Sequence, residues 1–290
     1  MAADDQSGTR ESFLTNEKGK QLFCRYWCED LINPRALVFI NHGAGEHCLW
    51  YTQLALMLKE KGCFVFAHDH VGHGQSEGDR VHIEDFHDYV QDVFQHFSTV
   101  AAKFPDLPKF MIGHSMGGAI SIIAGMEKPE YFNGIILIAP AVIPDPHTVS
   151  PTKIFLGKIA AKVWPQAPVL KLNPDDVSRD KAVVMDAISA EIQRRPFGVP
   201  WELKGKWLDW IEKNMSKMTC PVLTLHGTED KMTNIQGSRV LHEGISSSDK
   251  TLKIYDGYYH QLHNEPGQDG AGVRQEIVDW ISARTRGAAH

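Results

Sequence analysis

The chain has no apolar run approaching the roughly 20 residues that a membrane-spanning helix needs. Cysteines are few: the five present (Cys24, Cys28, Cys48, Cys63 and Cys220) are odd in number and scattered. They do not read as a disulfide framework, and dispersed free thiols suit a reducing compartment. A basic face is missing too. The formal charge is −6 over 290 residues, which argues against nucleic acid as a partner. Internal repeats and low-complexity tracts are absent, and Met1 to Glu11 has neither the basic start nor the apolar stretch of a signal peptide. A cytoplasmic protein is expected, with peripheral contact to membranes left open and the oligomeric state unset. Apolar content of 42% with 23% charged residues suits a chain that buries a sizeable core.

Residues 1–12 read as a disordered leader. Short runs rich in Phe, Val, Ile and Tyr predict strands at Gln21–Trp27, Ala36–Asn41, Phe64–Ala67, Lys109–Ile112, Gly134–Ile138, Pro221–Leu225 and Thr251–Tyr255. Between them, apolar spacing of three and four predicts helices. One contains Tyr51, Leu54 and Leu58 and stops at Gly62. A second runs from Phe86 to Ala102, with Tyr89, Val93, Phe97 and Val100 on one face. Others run from Met116 towards Met126 and from Val273 to Arg284. Continuous apolar strands alternating with helices predict an α/β fold, a mostly parallel sheet covered on both faces. The rhythm breaks after Pro140: residues 141–215 carry many prolines and charged helical turns but no convincing strand. The reading is one core in two pieces, 13–140 and 216–286, with a helical cap or lid, 141–215, inserted between them.

The sharpest local signal is Gly113-His114-Ser115-Met116-Gly117, followed by Gly118. This G-x-S-x-G pattern leaves the strand Phe110–Ile112 and opens a small-residue helix, the setting of a nucleophile elbow in an α/β-hydrolase fold. Glycines around the serine let strand and helix approach closely, and the helix N-terminus favours developing negative charge. Ser115 is thus the expected nucleophile. The turn Asn41-His42-Gly43-Ala44-Gly45-Glu46-His47 follows an early strand and supplies backbone donors. The N–H of Ala44 and that of Met116 are the expected oxyanion hole. Chain order then calls for an acid and a histidine. Asp230, after the strand Val222–Leu225, is favoured over Glu229, with Asp256 as the fallback. In Gly257-Tyr258-Tyr259-His260-Gln261-Leu262-His263, His260 is the expected base and His263 its neighbour, the reverse assignment being the alternative. His68-Asp69-His70…His73 resembles metal-ligand spacing, but Gly72 and Gly74 point instead to a tight loop, so no metal or other cofactor is expected. A carboxylate-nucleophile dehalogenase or epoxide hydrolase is disfavoured, because the elbow carries a serine.

The sequence resembles the monoacylglycerol lipase family. The matching pieces are Phe23-Cys24-Arg25-Tyr26-Trp27, His42–His47, the run Val65–Gly78, Gly113–Ala119, and Lys250–Tyr255 with the following Tyr259-His260-Gln261-Leu262-His263. The resemblance covers about residues 13–286 and thins across the cap. It implies cleavage of a monoacylglycerol, such as 2-arachidonoylglycerol, to fatty acid and glycerol at a membrane surface, without metal or cofactor. It also implies that Glu46 and His263 read the glycerol hydroxyls. Three departures stand out: Trp50 replaces an arginine expected after the oxyanion loop, Thr233 stands where a cysteine is usual, and Ala187–Trp210 diverges. These keep two alternatives open, a lysophospholipase or acyl-thioesterase with the same triad and a hydrolase-derived ligand-binding protein with little turnover.

Within the cap, Ile154, Phe155, Ile159, Val163 and Trp164 offer an apolar side, while Lys153, Lys158, Lys162 and Lys171 meet no acid. A basic amphipathic stretch of this kind suits a lipid interface, and it equally suits packing on the core with its lysines solvated.

Overall fold

The computed structural model describes residues 8–27, 31–80, 85–142, 176–180 and 201–285. Eight strands form one sheet in the order β1-β2-β4-β3-β5-β6-β7-β8. They are β1 (Arg10–Thr15), β2 (Gln21–Tyr26), β3 (Ala36–Asn41), β4 (Cys63–His68), β5 (Lys109–His114), β6 (Gly134–Ile138), β7 (Val222–Gly227) and β8 (Lys250–Tyr255). The first two strands pair antiparallel, and everything from β4 to β8 is parallel.

Side-chain alternation along the strands divides the core into two. Leu37 and Phe39 of β3, Met111 of β5 and Leu137 of β6 face one way. They meet α2 (His87–Ala101), α3 (Met116–Glu127) and α5 (Ile235–Gly244). Val38, Ile40, Ile112, Ile136 and Leu225 face the other way. There they meet α1 (Thr52–Glu60) and α6 (Gln268–Thr285). Because both faces are covered, the central strands read as unbroken apolar runs rather than alternating ones.

Two boundaries differ from expectation. The leader stops short of residue 12, because Arg10–Thr15 pairs with Gln21–Tyr26 over six residues. This edge strand is held partly by charge: Arg25 bonds Glu11, and the Arg10 guanidinium lies 4.6 Å above the Tyr26 ring. The last helix begins at Gln268, five residues before the expected Val273. Gly270 lies inside it because a Cβ there would fall 2.3 Å from the Glu265 carbonyl oxygen.

The expected cap falls mostly outside the described residues. Those described include the strip 176–180 and α4 (Trp201–Asn214), which contacts α3. The strip is fastened to the loop after β8. Gln261 N–H donates to the Val177 carbonyl (2.9 Å), Ser178 Oγ donates to that of Asn264 (3.1 Å), and Arg179 reaches Glu265 (2.7 Å) and Asp269 (2.6 Å).

Candidate active site

In parallel sheets of this kind, loops at the carboxyl ends of the strands form the crevice where ligands bind, at the point where strand order reverses. Here that point lies between β3 and β5, whose last pair is Asn41 with Gly113. The loop His42–His47 and the turn at Ser115 therefore leave the sheet side by side.

Ser115 has φ 53° and ψ −115°, a conformation costly for any residue with a Cβ. It persists because its surroundings hold it. Its N–H donates to the Ile138 carbonyl (3.0 Å), and its own carbonyl accepts from Ala119 and Ala141. The flanking glycines are steric requirements. A Cβ on Gly117 would sit 2.2 Å from the Asn41 carbonyl oxygen, and one on Gly113 would sit 2.4 Å from that of Gly117. Met116 is the first residue of α3, so its N–H has no partner within the helix. Ala44 sits across the adjoining turn, which Glu46 N–H closes onto the Gly43 carbonyl (3.2 Å).

After β7, the Asp230 carboxylate is fully buried and surrounded by donors. Oδ1 accepts from the N–H groups of Met232 (2.7 Å) and Thr233 (3.0 Å). Oδ2 meets His260 Nδ1 at 2.7 Å, Thr233 Oγ1 at 2.9 Å and His226 Nε2 at 3.3 Å. Facing an acceptor, His260 Nδ1 must carry the proton, which leaves Nε2 free to accept one. Burial would raise the Asp230 pKa, but His260 and His226 hold it far below the usual carboxylate range. Burial lowers the His260 pKa against the opposing pull of Asp230. The ring is therefore neutral at physiological pH. Of the two histidines in this loop, His260 contacts Asp230. The alternative acids lie elsewhere: Glu229 is exposed, and Asp256 accepts from Thr228 Oγ1 (3.1 Å). His260 lies close to the elbow, its ring 4.6 Å from that of His114 beside Ser115.

Sequence reasoning gave three residues here no role. His226 and Thr233 brace Asp230 from positions four before and three after it, a local spacing that was visible. Ala139, φ 43°, is the second non-glycine residue with positive φ among those described. Its carbonyl lies 3.2 Å from Thr233 Oγ1, and no sequence signal marked it.

Glu46 and His263 lie deeper than residues that meet solvent. Glu46 is 5% exposed and contacts four protein groups, and His263 stacks on Tyr51 at 4.9 Å. Among the described residues, His263 Nδ1 has no hydrogen-bond partner. Trp50 sets its ring 5.6 Å from that of His47. His68, His70 and His73 are all buried, and among the described residues no group of His, Cys, Asp and Glu is disposed to hold a metal ion.

Residues 32–267 match the family model described as serine aminopeptidase, S33. Mouse monoglyceride lipase is 42% identical over 280 residues, covering 95% of this chain and 91% of that one. The chain belongs to the monoacylglycerol lipase family. Its relatives extend to bacteria: the monoacylglycerol lipase of Mycolicibacterium smegmatis is 35% identical over 281 residues, 95% of this chain and 98% of that one. Among solved structures, the monoacylglycerol lipase of Paleococcus ferrophilus superposes with TM-score 0.77 at 26% identity, covering 91% of this chain and 99% of that one. The α/β-hydrolase fold follows from these likenesses and from the sheet.

Proposed function

We propose that the protein is a serine hydrolase that cleaves the carboxylic ester of a monoacylglycerol to free fatty acid and glycerol. The observation that carries the chemistry is the 2.7 Å contact from His260 Nδ1 to Asp230, with the strained Ser115 turn alongside. The family relatives support the substrate class.

In this reading, His260 Nε2 takes the Ser115 hydroxyl proton as Oγ attacks the ester carbonyl. The N–H groups of Ala44 and Met116 receive the oxyanion, each worth a few kcal/mol in the transition state. Collapse expels glycerol, whose oxygen takes the proton from His260, and leaves an acyl-enzyme on Ser115. Water, activated by His260, then releases the fatty acid. Asp230 holds the imidazole tautomer and stabilises the imidazolium. His263, with one ring nitrogen unpartnered among the described residues, is our candidate on the alcohol side.

The substrate has a single acyl chain and partitions into membranes. We assign delivery to peripheral contact through the basic amphipathic sequence 151–172, which lies outside the described residues. No described helix is long and apolar enough to cross a membrane. Liposome co-sedimentation of Phe155→Glu with Trp164→Glu tests this; undiminished binding refutes it.

The deciding experiment follows fatty-acid release from a 2-monoacylglycerol, a lysophospholipid and an acyl-thioester, in wild type and Ser115→Ala. Fastest cleavage of the monoacylglycerol, lost in the variant, is expected. Preference for either other ester overturns the substrate, and turnover that survives in Ser115→Ala overturns the nucleophile. A folded wild type that hydrolyses none of them is a binding protein.

A further inference from the structure

The Glu46 carboxylate joins four parts of the chain. Oε2 accepts from the N–H of Gly43 in the oxyanion loop (2.7 Å) and from the Tyr51 hydroxyl (2.6 Å). Oε1 accepts from the Gln261 side-chain amide (2.8 Å), next to His260. Oε1 also lies 2.9 Å from Nδ1 of His114, next to Ser115, off the line of an aligned hydrogen bond. The second nitrogen of His114, Nε2, faces the backbone carbonyl of His260 at 3.2 Å. One ring nitrogen thus faces a carboxylate and the other a carbonyl, neither of which can donate, so the ring is held with both protons. His114 is fully buried and Glu46 nearly so. With three hydrogen bonds and the His114 ion pair, the carboxylate is spent on the protein. It has little capacity left for a ligand hydroxyl.

We propose that Glu46 is a positioning residue: its buried ion pair with His114 locks the oxyanion loop, the Ser115 elbow and the His260 loop into one rigid unit. It therefore acts on the acyl half of any ester, whatever the alcohol. The proposal rests on the ester-hydrolase reading above but not on glycerol as the leaving group. Two features support it. The pair links backbone or side chain at Gly43, His114 and Gln261, each within one residue of an atom placed in the mechanism. Electrostatics agree: burial would lower the His114 pKa, yet Glu46 raises it above the ordinary histidine value, and His114 in turn draws the Glu46 carboxyl far down.

The charge also bears on the base. His260 faces Asp230 on one side and His114 with Glu46 on the other; His263 faces His114, Glu46, Arg274 and His260. The His114 cation, its ring 4.6 Å from that of His260, outweighs the Glu46 anion there and opposes protonation of His260. In Glu46→Gln, His114 loses the anion that keeps it charged, and His260 then protonates at higher pH.

The test uses two esters of one fatty acid in the same mixed micelles, the 2-monoacylglycerol and the methyl ester. For Glu46→Gln, kcat falls on both by about 100-fold, with KM little changed and the ratio of the two rates held within about twofold. The acid limb of kcat/KM moves to higher pH, whereas in Tyr51→Phe, which loosens the same cluster but leaves the Glu46 charge in place, it does not move. Circular dichroism and thermal melting verify that the variant is folded. A loss confined to the monoacylglycerol makes Glu46 a reader of the alcohol and overturns the proposal; so does an unshifted acid limb, or no loss on either ester. Should Glu46→Gln not fold, Tyr51→Phe removes one donor and no charge. It is expected to lower both rates equally, by about fivefold, and a selective loss overturns the proposal again. Wild-type turnover of the methyl ester separates this outcome from failure of the monoacylglycerol reading.

Discussion

Acid should unfold this protein while most of its carboxylates are still ionised; the exception, Asp92, is pushed up to about 7 by burial and offsets about one histidine proton. Burial pushes His42, His96 and His263 down to about 3 and His73 down to about 4. His68 and His70 are driven well below the ordinary value, by burial first and by neighbouring histidines second. In the unfolded chain such rings titrate near ~6.5. The unfolded state thus binds protons that the native state refuses, so stability is full above that pH and drains away as pH falls towards 3 or 4. At pH 5 each of the first four has surrendered about 2 kcal/mol, together about 8 kcal/mol. That is comparable with the whole stability of a typical domain, about 5–15 kcal/mol. Glu46 and Asp230 have depressed values, so their contributions persist above the unfolded carboxylate range near ~4 and do not intervene here. His114 has a raised value, so its contribution is full below ~6.5 and weakens only towards alkaline pH. Urea unfolding followed by tryptophan fluorescence between pH 7.5 and 5 measures the effect. About four protons, or roughly 5 kcal/mol per pH unit, are expected below pH 6. A slope under about 1.4 kcal/mol per pH unit, a single proton, would refute the reasoning.

Other perturbations have equally definite expectations. Ser115→Gly should be inactive yet more stable in urea than Ser115→Ala by about 1–3 kcal/mol, because only glycine tolerates that backbone without strain. Equal stability of the two would mean that the turn is relaxed. Asp230→Asn should reduce kcat by about 10,000-fold, since an amide at Oδ2 favours the wrong tautomer of His260, and should lower the melting temperature, since the buried anion that its donors hold is lost. A loss below tenfold would remove Asp230 from the triad. Gly117→Ala should fail to accumulate as folded protein, its new methyl meeting the Asn41 backbone at 2.2 Å; a native-like variant would disprove the close approach. The thiols of Cys24 and Cys220, pushed up to about 12 by burial, and of Cys63, pushed up to about 11, should resist iodoacetamide until denaturant is added. Mass spectrometry of the labelled native protein checks this.

What the sequence disclosed and what it hid follow from how far apart the interacting groups lie along the chain. Strands β3, β5 and β6 were legible because two covered faces force an unbroken apolar run. The elbow was legible because strand, turn and helix are consecutive, and glycines at 113 and 117 record a steric demand made within a few residues. Asp230 and His260 could be placed because each follows a strand directly. Edges were harder. Arg10–Thr15 is charged and exposed enough to resemble a leader, and its strand identity comes from pairing with β2. At the start of α6, Gly270 resembles a turn residue until the Glu265 carbonyl is seen pressed against it.

Hardest of all to read was the setting of Glu46. As a position in the oxyanion loop it invites a binding role, and the local sequence offers nothing against that. Its partners are Gly43 and Tyr51 nearby, His114 in the elbow, and Gln261, which is 215 positions away. No spacing rule connects these groups, because their meeting is imposed by the order of the strands that carry them. A buried carboxylate is costly unless every oxygen finds donors, so once the sheet places Glu46 beneath three loops, those loops must converge on it. On the proposed reading, the catalytic atoms are set by local motifs, whereas their relative alignment is set by a group that does no chemistry. Glu46→Gln, an almost isosteric change outside the triad, is for that reason the substitution that best separates the two.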